Sequence, residues 1–151
     1  FHKSSMEFAH KVKCYEGILD VLKFCKDMGL DVGVVTGKNR IRARDIFDRT
    51  GIGSYVDMLI TPDDAPGKPH PEALRACLKG FRRPQDSALF YVGDSPIDMM
   101  TARNAGLPAA FAAWGAWQKL PSENYDLYSE TPADIISTLS RSTFRKKELE
   151  I

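Results

Sequence analysis

The sequence is poor in the features that mark special classes of protein. Its 151 residues hold only three cysteines, Cys14, Cys25 and Cys77, odd in number, widely spaced and without a C-x-x-C pair. That argues against a disulfide framework and a cysteine zinc site, and makes a reducing cytoplasm the expected home. Two of the three fall on apolar helix faces and read as small buried hydrophobes. The net charge is +1, which gives no electrostatic case for nucleic acid or an anionic membrane surface. No apolar run approaches the length of a transmembrane helix. The opening stretch FHKSSMEFAHKVK lacks the apolar centre of a secretory signal. The chain starts on Phe rather than Met, which suggests a processed, trimmed or partly sequenced product. There are no repeats, no low-complexity tract and no internal domain boundary. Neither G-x-x-x-x-G-K-[ST] nor G-x-G-x-x-G occurs, so the common glycine-rich phosphate loops are excluded. Ser95 has no His or Asp partner at a triad spacing.

What is present is an ordinary globular composition, 43% hydrophobic and 27% charged, at a length that suits one domain. Residues 16–28 carry a helical stripe (Ile18, Val21, Leu22, Cys25, Met28), closed by Gly29. Residues 30–35 form a β-branched run ending in Thr36-Gly37-Lys38, a buried strand followed by a turn. Residues 40–50 are again helical through Ala43, Ile46 and Phe47, with Gly51 as the stop. The next strand is predicted over 56–60, then a Pro/Gly/Asp loop over 61–69, then a helix over 71–79 with Pro71 at N1. Further strands are expected at 109–113 and 125–128, and a helix from Thr131-Pro132 to Leu139. Strands alternating with helices mean βαβ units, a parallel sheet and right-handed crossovers.

The richest stretch is 88–106, ALFYVGDSPIDMMTARNAG. An apolar strand over 88–92 ends at Gly93. Ser95, Pro96 and Asp98 then read as N-cap, N1 and N3 of a helix that stops at Gly106. Ser95-x-x-Asp98 fits a capping box that needs no chemistry. Asp94 caps nothing obvious. Two carboxylates four residues apart at a strand-to-helix crest suit Mg²⁺, which takes a few carboxylates and keeps several waters. Thr36, Lys68 and the pair Asp94/Asp98 all fall at strand or loop ends that a parallel sheet gathers on one edge. A hydroxyl, backbone amides, an ammonium and a metal-binding acid pair are the equipment for a phosphoryl group. Each has a plainer reading: Thr36 as a turn residue, Lys68 as a surface lysine, His70 as a helix N-terminal residue. Trp114 and Trp117 read as packing against the sheet edge, with a substrate-facing aromatic as the alternative.

The ordered set VVTGK, GKPHPEAL, YVGDSPIDMMTARNAG and AAFAAWG resembles the haloacid dehalogenase superfamily, most closely its phosphoglycolate-phosphatase-type branch. The likeness runs from about residue 15 to 139. It implies an α/β, Rossmann-like core with a parallel sheet flanked by helices. It divides the chain into a polar lead-in over 1–15 that resembles the exit from a helical cap, a core over 16–140 and a charged tail over 141–151 that frays. It further implies that Thr36 binds phosphoryl oxygens with the amide of Gly37, and that Lys68 stabilises the phosphate and the nucleophile. Asp94 would ligate Mg²⁺, and Asp98 would ligate it or orient its water. The substrate class would be a small phosphorylated metabolite.

One part of the family pattern is missing. The nucleophile belongs to D-x-D-x-[TV] at the end of a first strand, and this sequence has no such motif. Asp31 and Asp57 open strands, Asp20 lies in a helix, and Asp63 and Asp64 sit in the Pro/Gly loop. In the family that first strand lies mid-sheet, between the strands ending in Thr36 and in Asp94. Three arrangements follow: an upstream stretch supplies it together with a small cap, a second copy completes the sheet as a strand-swapped dimer or other homo-oligomer, or the flanking strands close ranks. The expected function is that of the C-terminal part of a Mg²⁺-dependent phosphatase. The alternatives are a non-catalytic phosphate- or partner-binding module of the same fold, or a phosphomutase of the family. The 151 residues alone are expected to be inactive.

Overall fold

In the computed structural model of the chain, the structure describes residues 12–82 and 89–149, with side chains described as far as Arg141. The elements run α1 (Ile18–Asp27), β1 (Gly33–Val35), α2 (Arg40–Thr50), β2 (Met58–Ile60), α3 (Glu72–Lys79), β3 (Tyr91–Gly93), α4 (Pro96–Ala105), β4 (Ala109–Ala112), β5 (Leu127–Ser129) and α5 (Pro132–Leu149). Short 3₁₀ turns lie at Ile52–Tyr55, Ala113–Gly115 and Ser122–Asn124. No helix among the described residues is long and apolar enough to cross a membrane.

All strand pairing is parallel, but it falls into two separate sheets: β1 with β2, and β3-β4-β5. β1 and β3 do not pair. Between them lies an apolar cavity of about 370 Å³, walled by Gly33, Val34 and Val35 on one side and by Phe90, Tyr91 and Val92 on the other. Among the arrangements considered for the sheet, closing ranks is therefore the one the fold does not adopt. The helices hold the halves in place instead. On one face, Val21 and Cys25 of α1 and Ile135 and Leu139 of α5 bury Ala110, with Val32 and Phe90 packed against the same cluster. On the other face, Met99 and Ala102 of α4 pack on Ala109 and Phe111, while Ala73 and Cys77 of α3 pack on Ile60. Ala109 and Phe111 thus face one way and Ala110 the other, the two-residue alternation of a strand covered on both sides.

The helix ends follow the sequence closely. α2 spans the predicted residues, capped by Asn39, whose side chain accepts the Arg42 amide. α4 begins with Ser95 as cap and Pro96 at N1, and Gly106 ends it at φ 72°, where a side chain would strain the backbone. Cys25 and Cys77 are buried and free. Several boundaries move. The strands are shorter than their apolar runs, because Leu30 and Val32 pack into the core as loop and Asp31 and Asp57 precede β1 and β2 rather than opening them. α3 starts at Glu72 with Pro71 as its cap, not as its first residue. α5 continues to Leu149 instead of ending at Leu139. Its later residues include Arg, Lys, Glu and Leu and no Gly or Pro, so nothing stops the helix and charge alone does not. The lead-in over 1–11, the predicted strand residue 88 and the last two residues of the tail lie outside the described residues.

Candidate active site

The strand ends converge because of how α3 lies. A Cβ added to Gly33 would meet Cys77 Sγ at 2.1 Å, and one added to Gly80 would meet Met58 Sδ at 2.3 Å. The starts of β1 and β2 therefore lie at the C-terminal end of α3, and their ends lie toward its N-terminus, where the Lys68 loop leads in. Lys68 in turn reaches the first turn of α4, directly after β3. The ends of β1, β2 and β3 form one edge of the molecule.

Asp98 is the centre of that edge. It begins as the predicted capping residue: its amide donates to Ser95 Oγ at 3.2 Å, and the Ser95 hydroxyl donates back to Oδ2 at 2.7 Å. A cap needs no more than this. Oδ1 also receives the Lys68 ammonium at 2.6 Å and the Tyr91 hydroxyl at 3.1 Å, and Oδ2 receives the Asp94 amide at 3.2 Å. The carboxylate is 7% exposed. Burial pushes its pKa up, but the hydrogen bonds from Lys68, Ser95 and Tyr91 and the lysine's charge outweigh that and hold it below the usual carboxylate range. Tyr91 is shifted the other way: burial, then the charge of Asp98, pushes its phenol up, so it stays a donor.

Asp94 is the opposite case. No hydrogen bond from another described residue reaches its carboxylate, and burial together with the negative charge of Asp98 raises its pKa, with Lys68 offsetting only part. Its Oδ2 lies where a side chain on residue 115 would stand: a Cβ on Gly115 would come within 2.6 Å. A carboxylate destabilised as an anion, with only its own backbone amide as a donor among the described residues, is suited to a cation. Asp98, with both oxygens already engaged, is not open in the same way. Among the described residues, no group of three His, Cys, Asp or Glu side chains gathers to hold a metal ion by itself.

Lys68 is carried by the loop after β2, which is tied down by its own acids. Asp64 accepts the Thr61 amide at 2.9 Å and the Thr61 hydroxyl at 3.0 Å, and pairs with the Arg40 guanidinium. Asp63 accepts the Arg40 amide at 3.2 Å. Asp57 accepts the Val32 amide at 2.8 Å and the Lys26 ammonium at 2.6 Å, and Asp31 holds Arg82. Asp31, Asp57, Asp63 and Asp64 thus have structural partners. His70 accepts the Glu72 amide on Nδ1 at 3.2 Å, the helix N-terminal role expected of it.

Thr36 ends β1. Its amide donates to the Ile60 carbonyl at 3.1 Å, and its hydroxyl oxygen accepts the Lys38 amide at 3.2 Å. Gly37 is exposed, with nothing within 4 Å of an added Cβ. The structure therefore joins Lys68, Asp94 and Asp98 by direct contact. Thr36 and Gly37 stand on the same edge at the end of the other half-sheet, with no bond to those three. Two further residues at the site, Tyr91 and Gly115, had no local signal as such. Trp114, expected at the sheet edge, packs on the core cluster between α1, α5 and Ala110, and Trp117 does not pack on the sheet edge; it is 96% exposed.

The family model for haloacid dehalogenase-like hydrolases matches residues 1–112. A phosphoglycolate phosphatase of Rhodobacter capsulatus is 33% identical over 108 residues, 71% of this chain and 48% of that protein. The pyrophosphatase PpaX of Bacillus velezensis is 34% identical over 126 residues, 81% of this chain and 57% of that protein. Among solved structures, a HAD phosphatase from Thermococcus onnurineus superposes with a TM-score of 0.75 at 24% identity, covering 89% of this chain and 61% of that one, a likeness of fold. The chain spans about half the length of these curated relatives. With the matched region containing β1 to β4 and the Lys68, Asp94 and Asp98 cluster, the chain belongs to the haloacid dehalogenase-like hydrolases.

Proposed function

We propose that this chain is the C-terminal part of a Mg²⁺-dependent phosphatase acting on a small phosphate monoester. The observation that carries this reading is the cluster of Lys68, Asp98 and Asp94 on the edge where Thr36 and Gly37 follow β1. The hydroxyl of Thr36 and the amide of Gly37 would bind phosphoryl oxygens. Lys68 would offset negative charge that grows on the phosphoryl group and the attacking carboxylate. Mg²⁺ would be held by Asp94, with its remaining ligands from substrate, water and an upstream segment, and would neutralise phosphoryl charge when bound. The contacts favour Asp98 as the group that fixes Lys68 and the Asp94 backbone, with no direct bond to the ion.

The attacking group would come from upstream. A strand inserted between β1 and β3 would satisfy both inner edges and bring its final carboxylate to the same rim. That carboxylate oxygen would attack phosphorus as a second upstream acid protonates the departing alcohol, and water, deprotonated by the resulting carboxylate, would then cleave the aspartyl-phosphate to regenerate the first carboxylate and release phosphate. The apolar cavity and the length of the relatives support this reading. The second reading, a binding module without a nucleophile, is favoured by the structural partners of Asp31, Asp57, Asp63 and Asp64.

The test is hydrolysis of p-nitrophenyl phosphate by the protein carrying its upstream coding sequence. The expected result is Mg²⁺-dependent turnover that Asp94→Asn lowers about a hundredfold or more. Turnover that survives Asp94→Asn would refute the assignment. A start codon immediately before Phe1, with no upstream D-x-D-x-[TV], would favour the binding module.

A further inference from the structure

Helix α4 grips the Lys68 loop at two points. In its first turn, Asp98 accepts the Lys68 ammonium at 2.6 Å. In its last turn, the Asn104 amide Nδ2 donates to the Pro69 carbonyl at 2.9 Å. The two anchors are six residues apart on α4, about 9 Å along a helix that rises 1.5 Å per residue. They hold adjacent residues of the loop. Lys68 is therefore drawn along the helix, tied through its neighbour's backbone at one end and through its ammonium at the other.

The loop has few other restraints here. Its backbone bond in this stretch runs from the His70 amide to the Gly67 carbonyl, and Pro69 has no amide to donate. A lysine has four rotatable side-chain bonds, so an ammonium bond alone leaves the point of attachment free to drift. Asn104 is exposed, so its bond adds little to the stability of the fold; water would replace it. What water would not replace is the fixed position of residue 69. We propose that Asn104 is a positioning residue for Lys68, setting where its backbone starts so that the ammonium stays on Asp98 and faces the phosphate side of the edge. The catalytic consequence rests on the phosphatase reading; the ordering of Lys68 does not.

The test uses this chain labelled with ¹⁵N-lysine. An ammonium held in a partly buried ion pair gives a resolved ¹H–¹⁵N signal, whereas freely hydrated ones exchange away. In the wild type such a signal should vanish in Lys68→Met, which assigns it. Asn104→Asp, which cannot donate to the carbonyl, and Asn104→Ala should lose the signal. Asn104→Gln, which keeps the amide donor, should retain it. The melting temperatures of all three should stay within a few degrees of wild type. A Lys68 signal as sharp in Asn104→Asp and Asn104→Ala as in wild type would overturn the proposal. So would a loss in Asn104→Gln as well, or the lack of any Lys68 signal in wild type. Hydrolysis by the protein carrying its upstream coding sequence that is unchanged in Lys68→Met would sink the phosphatase reading and leave this comparison standing.

Discussion

In the β3-β4-β5 half of the molecule, all four residues of β4 are buried, and each face is covered by helices. In the β1-β2 half, Gly33 is exposed, Val34 and Val35 are half-buried, and α2 contributes only Ala43 to the buried set. The better-packed half carries the two carboxylates. The looser half carries Thr36, Gly37 and the loop with Lys68. The site thus joins an acid pair to a basic and hydroxyl arm through two polar bridges, Lys68 to Asp98 at the working edge and Asn104 to Pro69 at the other end of α4. The difference suggests that the acids set the position of the phosphate site and that the other arm is brought to it.

The largest effect should come from removing the centre of the bridge. Asp98→Ala strands the Lys68 ammonium and the Tyr91 hydroxyl in a mostly buried place, and should cost about 3–5 kcal/mol, or a fall in Tm of about 10 °C. Thermal melts of this variant and of Arg40→Met, which breaks the pair with Asp64 in the looser half, should differ widely. Equal losses would dissolve the contrast between the halves.

A glycine pair gives a smaller and sharper contrast. A Cβ at Gly93 would stand 2.2 Å from Asp98 Cβ, so Gly93→Ala must push β3 off α4 and should cost about 1–3 kcal/mol. Gly37→Ala meets open space and should change stability by less than about 0.5 kcal/mol. Chemical denaturation of the two variants checks both.

Acid should act on the two carboxylates with opposite sign. Burial raises the Asp98 pKa, but the hydrogen bonds from Lys68, Ser95 and Tyr91 and the lysine's charge outweigh it, so its stabilising contribution is present above the unfolded value of about 4 and is lost as pH falls through the lower folded value. Asp31 and Asp57, held down by Arg82 and Lys26 against the effect of burial, should lose their contribution in the same direction. Asp94 is raised by burial and by Asp98, so its ionised form weakens the metal-free fold. Asp94→Asn should therefore raise Tm by a few degrees at neutral pH, with the gain shrinking as acid protonates the wild-type group. A loss of stability in Asp94→Asn at neutral pH would show that its charge is already compensated.

Arg40→Met should also be a mild change, below about 1 kcal/mol, because both side chains of that pair are about a third exposed.

Local signals in the chain carried much of this. The stop of α2 at Gly51 and the cap and stop of α4 at Ser95 and Gly106 appear as read, because each is set by residues adjacent to the helix end. So does the parallel pairing, because helices between strands leave little alternative. Strand lengths were not legible: an apolar run such as 30–35 serves equally as strand or as buried loop, and only pairing decides. The end of α5 was not legible either, since a charged tail reads as fraying although its residues favour helix. At the site, Lys68 and Asp98 were identified separately, thirty residues apart. Their bond, and the parts played by Tyr91, Asn104 and Gly115, depend on how α4 packs against α3 and β3, which no local pattern encodes. Trp117 shows the converse: an aromatic residue expected at the sheet edge stands in solvent because the turn at Ala113–Gly115 carries the chain away.

The most direct test of the account is a titration of this chain with Mn²⁺ in place of Mg²⁺, followed by amide NMR in the presence of inorganic phosphate. The account predicts paramagnetic broadening centred on Asp94, Ser95 and Gly115, lost in Asp94→Asn, with phosphate-dependent shifts at Thr36, Gly37 and Lys68. Broadening centred elsewhere, or persisting in Asp94→Asn, would contradict it.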